Sequence, residues 1–73
     1  MMVNINKLKG KIVEQGMNIA DLASKLSMNR STLYRHLNNG GYDFSIREAN
    51  EIAHALDLNY SEVMDIFFSE SVA

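Results

Sequence analysis

Arg30, Ser31, Tyr34 and Arg35 are the side chains of this 73-residue sequence best suited to work on a partner. All four fall on the outer face of a helix read over about 30–37, with Leu33 and Leu37 turned inward. The two guanidiniums are planar forks of N–H donors, and the serine and tyrosine hydroxyls both donate and accept. That is recognition chemistry. No nucleophile stands beside a base, no glycine-rich loop cradles phosphate, and Ser27, Ser31 and His36 form no catalytic set, so no enzyme is expected. The chain has no cysteine, and His36 and His54 lack a second histidine at ligand spacing, so neither metal nor cofactor is expected.

A helix pair must hold that face. Ile19, Leu22, Ala23 and Leu26 recur at i, i+3, i+4 and i+7, which predicts a helix over 19–26. Ser27-Met28-Asn29 is a tight turn, and the small Ala23 sits where the second helix would cross the first. Two helices meeting steeply across a short turn push the second outward as a probe.

Three further helices, over about 5–15, 46–56 and 60–68, complete an all-α, five-helix domain spanning 1–73, with 69–73 as a frayed tail. Asn4, Asn18, Asn29, Ser45 and Asn59 are the expected N-caps. The last four are flanked at hydrophobic-staple spacing by Met17 and Leu22, Met28 and Leu33, Phe44 and Ala49, and Leu58 and Val63. In the first helix Ile5, Leu8 and Ile12 form the inner stripe, and Lys7, Lys9 and Lys11 lie around the other side. Gly10 costs roughly 1 kcal/mol there against alanine, so close packing is expected at it. Gly16 suits a left-handed helix end. The fourth helix is expected to bury Ile46, Ala49, Ile52, Ala53 and Leu56. The fifth offers more apolar surface than one face needs: Phe67 suits the core, and Met64, Phe67 and Phe68 are also read as a partner or dimer surface. Asn38 to Asp43 reads as a loop.

The net charge of −2 speaks against a nucleic-acid partner, but its distribution does not. Residues 1–37 carry six basic residues against two acids, whereas residues 38–73 carry one against seven. A basic half can dock a polyanion whatever the total. No signal peptide or membrane span is read, so a cytoplasmic protein is expected.

The stretch ADLASKLSMNRSTLYRHLNNG, followed by EANEIAHAL and NYSEVMDIF, resembles the lambda-repressor-like helix-turn-helix domain. That is the family of repressor and Cro proteins of temperate phages and related bacterial regulators. The resemblance runs from about Asn4 to Phe67 and is carried best by Leu22-Ala23, Leu26, Arg30-Ser31-Thr32-Leu33 and Asn38-Asn39-Gly40. Ser27 departs from the usual turn glycine, Asn18-Ile19 from the usual glutamine or threonine, and His36 from a usual apolar residue.

The resemblance implies that the third helix enters the major groove while the second crosses the backbone. Arg30 and Arg35 then suit guanine, whose two acceptors match a guanidinium fork. Ser31 and Thr32 would touch base edges or a phosphate, and Tyr34 a thymine methyl or a phosphate. Asn29 would be divided between capping and DNA, and Asn18 between capping and a phosphate. Asn38, Asn39 and Tyr42 would follow the backbone, with Lys9 and Lys11 as weaker phosphate candidates. The implied function is a sequence-specific transcription regulator of phage or prophage origin. It would bind a double-stranded, pseudo-palindromic operator as a homodimer, in the manner of a Cro-type protein without an attached effector or protease domain. The alternative is an antirepressor on the same fold that captures a partner repressor, motivated by the acidic second half.

Overall fold

The computed structural model describes residues 2–68. Five helices follow in order: α1 (Ile5–Glu14), α2 (Ile19–Lys25), α3 (Arg30–Asn38), α4 (Ile46–Ala55) and α5 (Tyr60–Phe67). There is no strand among the described residues. Relative to the expected limits, α3 extends one residue further and the other four stop one residue short. The segment 69–73 lies outside the described residues.

Side chains close every helix start. The Asn4 and Asn29 side-chain oxygens accept from the Lys7 and Ser31 backbone N–H groups at 3.1 and 2.8 Å. Asn18 with Asp21, Ser45 with Glu48, and Asn59 with Glu62 form complete capping boxes. Each satisfies two amides that the first helical turn leaves without partners.

The helix ends repeat a second device. After α1, Met17 N–H donates to the Ile12 carbonyl and Gly16 N–H to Val13. Met28 to Ala23 with Ser27 to Ser24 ends α2 in the same way, and Leu58 to Ala53 with Asp57 to His54 ends α4. These are Schellman closures, which need a left-handed residue just past the helix. Gly16, Ser27 and Asp57 take that role at φ +73°, +52° and +52°. Gly16-Met17-Asn18, Ser27-Met28-Asn29 and Asp57-Leu58-Asn59 are therefore one connector used three times: a left-handed residue, an apolar residue packed on the core, and a cap. Only the first carries glycine. The turn between α2 and α3 keeps its form with Ser27, at a cost of roughly 1–2 kcal/mol for a side chain in that region.

The core is built from Leu8, Ile12, Leu22, Leu33, Ile52, Leu56, Ile66 and Phe67, all essentially inaccessible to solvent. Ala23, buried at the α2–α3 crossing, lets those two helices approach closely. Three expectations about packing need correction. A Cβ built on Gly10 meets nothing within 4 Å, so no close packing explains that glycine. Ile46 is 62% exposed; Phe44, two residues earlier, fills the core at the start of α4 instead. Phe67 is 1% exposed, so it belongs to the core and not to a partner surface.

The N-terminal segment locks the loop after α3. Asn4 N–H donates to the Ile66 carbonyl at 2.7 Å and Val3 N–H to Gly40 at 3.4 Å, which seats the buried Val3 side chain over Gly41.

Ion pairs join the basic and acidic halves. Lys7 Nζ lies 3.1 Å from Asp65. Lys11 Nζ reaches Glu14 at 3.3 Å and also Glu62, across the α1–α5 contact. The Glu62 hydrogen bond is the main cause holding the Lys11 ammonium above its ordinary value, with Glu14 adding to it. Lys11 in turn holds the Glu62 carboxyl below its ordinary value, helped by the Asn59 N–H. Because the Glu62 value is depressed in the folded state, its stabilisation is present above the unfolded value, near 4.5, and is lost as pH falls through the folded one. The Lys11 contribution is complete below 10.5 and is lost as pH rises through its raised folded value. In a series of thermal melts, Glu62→Gln is expected to flatten the acid limb of stability below pH 4.5 while keeping a side-chain cap on Asn59. An unchanged acid limb would show the pair to be inert.

Candidate nucleic-acid interface

On α3, Ser31, Tyr34, Arg35 and Asn38 stand at i, i+3, i+4 and i+7, and all four are exposed. Arg30, exposed in the first turn, lies at the edge of this strip. On the opposite side Leu33 and Leu37 are buried, so core packing sets the angle at which the strip faces outward. Asn29 caps α3 through its oxygen, which accepts from Ser31 N–H. Its amide nitrogen makes no hydrogen bond among the described residues.

Thr32 departs from expectation. It is half-buried on the far flank of α3, in a shallow hollow with Leu26, Ser27, Met28, Glu48 and Glu51. Its place in the helix, one residue off the strip, turns it toward α4 and two carboxylates. A phosphate would be repelled there.

The cations are divided by the fold. Lys7, Lys11 and Arg47 have carboxylate partners. Lys9, Lys25, Arg30 and Arg35 make no ion pair among the described residues. Lys11, expected as a phosphate candidate, is therefore committed to Glu14 and Glu62. Lys9 instead lines a largely apolar cleft with Ile12, Val13, Met17, Asn18, Ile19 and Tyr34. Lys9, the start of α2 and the exposed tyrosine of α3 thus border one surface. Lys25 lies away from it, in a hollow with Glu51, His54 and Ala55.

At the start of α2, Asn18 N–H donates to the Asp21 carboxylate at 2.9 Å, and Asn18 Oδ1 accepts from Asp21 N–H at 2.8 Å. The Asp21 carboxylate occupies part of the anion-attracting end of the helix. Asn18 keeps its side-chain N–H groups for an outside acceptor.

Past α3, Asn39 caps the helix end and Gly40 and Gly41 turn the chain at φ +73° and +76°. Asn39, expected to follow a DNA backbone, donates its side-chain amide to Asp43 at 2.9 Å. Tyr42 is exposed, with its ring against Gly40. Sequence reasoning missed the cluster at His36. That ring is only 12% exposed, stacks on Phe44 with centroids 5.0 Å apart, and holds Nδ1 3.9 Å from Asp43. The signal was there in His36 replacing an apolar residue.

Residues 7–69 match the family model for the Cro/C1-type helix-turn-helix DNA-binding domain. The chain belongs to this family. Its α2 and α3 form the helix-turn-helix, and the protein is a DNA-binding regulator. Neither a curated protein nor a solved structure gives a significant match. Among the described residues, no helix of this Cro/C1-type domain is long and apolar enough to cross a membrane.

Proposed function

We propose that this chain is a sequence-specific, cytoplasmic regulator of phage or prophage origin that reads a double-stranded operator with α3 in the major groove. One observation carries the reading: Arg30 at the edge and Arg35 within the exposed strip of α3 make no ion pair among the described residues, while Lys7, Lys11 and Arg47 are paired elsewhere. A guanidinium with no internal partner loses no ion pair when it meets guanine or phosphate. Arg30 and Arg35 take bases, with Ser31 and Tyr34 beside them. Asn18, Asn29, Asn38, Asn39, Tyr42 and Lys9 take sugar–phosphate. A single module buries a modest interface, so a homodimer on a pseudo-palindromic site supplies affinity and site length. Tyr60, Met64 and Phe68 on and just beyond α5 are the surface offered for pairing.

The test is titration of the purified protein against candidate operator DNA over a range of salt. Affinity should fall steeply as salt rises. Arg35→Ala should lose roughly 1–3 kcal/mol on the preferred site and relax sequence preference. A uniform loss on all sequences would make Arg35 a phosphate anchor. No loss at all would remove α3 from the interface.

A second reading has the chain acting as an antirepressor that captures a partner repressor. Glu48 and Glu51 beside the α2–α3 turn, with Asp57, favour it, since they present negative charge to a basic DNA-reading face. Co-elution with a cognate repressor, with no DNA retarded at low salt, would replace the leading reading with this one.

A further inference from the structure

Met2, Val3 and Asn4 precede α1 and belong to no helix, yet they are tied to two distant parts of the chain. Asn4 N–H donates to the Ile66 carbonyl in the last turn of α5 at 2.7 Å, while the Asn4 side chain caps α1. That is the anchor. Val3, one residue before it, is buried against the turn that follows α3. Its Cβ and Cγ2 approach Gly41 so closely that a Cβ on that glycine would lie 2.6 Å from both. Val3 N–H also reaches the Gly40 carbonyl at 3.4 Å.

The turn beneath Val3 has a weak hold on its own shape. Gly40 and Gly41 are consecutive, both at positive φ. Two glycines in succession carry more backbone freedom than any other pair, so ordering them is costly. Their own bonds are few: Gly40 N–H to the Leu37 carbonyl at 3.3 Å and Gly41 N–H to His36 at 2.9 Å. The side chains nearest a Cβ at Gly41 are Val3 and Phe44. Valine has a single side-chain torsion, restricted by the branch at Cβ, and so makes a stiff wedge. Asn39 and Tyr42 flank the two glycines directly, and both are exposed. The Asn39 amide gives one N–H to Asp43 and keeps the other for an outside acceptor.

We propose that Val3 is a positioning residue for DNA binding. Anchored on α5 through Asn4, it wedges the Gly40–Gly41 turn into the form that presents Asn39 and Tyr42 to the sugar–phosphate backbone. The proposal rests on the DNA-binding reading above and adds to it a residue that touches no DNA. A turn fixed beforehand loses little freedom when it meets DNA. A turn released from Val3 must be ordered at the moment of binding, and affinity falls by that cost. The contacts concerned are to phosphate, so the loss is independent of base sequence and shows in the salt dependence.

The experiment is a titration of the purified protein against a mixed-sequence DNA duplex over a series of salt concentrations, with each variant corrected for its folded fraction. Val3→Ala removes the wedge and should bind roughly three- to tenfold more weakly at low salt. Its plot of log affinity against log salt should be flatter than that of wild type by about one. Val3→Leu keeps apolar bulk but moves the branch away from Gly41; it carries the same expectation should Val3→Ala fold too poorly to titrate. Val3→Thr keeps the branched shape but buries a hydroxyl, so it should lose stability and retain the wild-type affinity and slope. In NMR spectra of the free protein, the Gly40 and Gly41 amide signals should shift in Val3→Ala and stay near their wild-type positions in Val3→Thr. Wild-type affinity and slope in both Val3→Ala and Val3→Leu, or a Val3→Thr as impaired as Val3→Ala, would overturn the wedge. Absence of DNA binding by wild type at every salt would instead sink the reading beneath it, and the role of Val3 with it.

Discussion

Gly41→Ala is expected to cost about 2–5 kcal/mol of folding stability. Two separate causes add. Gly41 sits at φ +76°, where an L side chain pays roughly 1–2 kcal/mol. A Cβ there would also lie 2.6 Å from both Cβ and Cγ2 of the buried Val3, and 3.2 Å from the Phe44 ring. Neither neighbour can step aside cheaply. Val3 is tied to the loop through Gly40, the next residue is tied to Ile66, and Phe44 is 4% exposed in the core. Overpacking of this kind adds about 1–3 kcal/mol. A domain of this size has only about 4–10 kcal/mol in total. Gly40→Ala is the control. Its φ of +73° is nearly the same, but its nearest neighbour is the exposed Tyr42 ring at 3.3 Å, which can swing away. It should lose only the backbone term. Urea melts of the two variants decide the matter, and equal losses at both positions would refute the clash. Because the loop follows α3, the helix proposed to read DNA, Gly41→Ala should also weaken DNA binding in whatever fraction stays folded.

The other large effect lies on the hidden side of α3. Leu33→Ala should lose about 2–5 kcal/mol, since it empties a fully buried site that the neighbouring helices can only partly collapse into. The midpoint of a urea melt should fall with little change in slope. Its effect on DNA should be indirect: once corrected for the folded fraction, affinity should match wild type within about twofold. Arg35→Ala should behave in the opposite way, with stability kept and affinity lost. If Leu33→Ala folded normally and bound poorly, the inward and outward faces of α3 would have to be exchanged.

Much of the fold was legible because its signals are local. A cap is a contact between residues two or three apart, so Asn4, Asn18, Asn29, Ser45 and Asn59 could each be read without knowing what lies across the core. The apolar spacing of α2 and α3 is equally local, and it placed Ser31, Tyr34 and Arg35 on one face. The helix ends were harder. Gly16 announced its left-handed turn, but Ser27 and Asp57 perform the same turn with residues found in any context.

Errors appeared where distance along the chain stops predicting distance in space. Ile46 fits the helical period of α4, yet Phe44 reaches the core first. The spacing of α5 leaves Phe67 open to either the core or a pairing surface, and only the packed structure puts it in the core. Lys11 looked like part of a solvated basic face until α5 brought Glu62 to it.

The sequence by itself determined five helices, their starts, a helix-turn-helix and a basic outer face, since each follows from contacts within about one helical turn. The tertiary structure decided which of those charges are free. It pairs Lys7 with Asp65 and Lys11 with Glu62, 58 and 51 residues apart in sequence, and leaves Arg30 and Arg35 without ion-pair partners among the described residues. It also decided that Val3 closes over Gly41 and that His36 faces Asp43. Those contacts depend on how the helices cross, and crossing geometry is a property of the assembled core rather than of any segment.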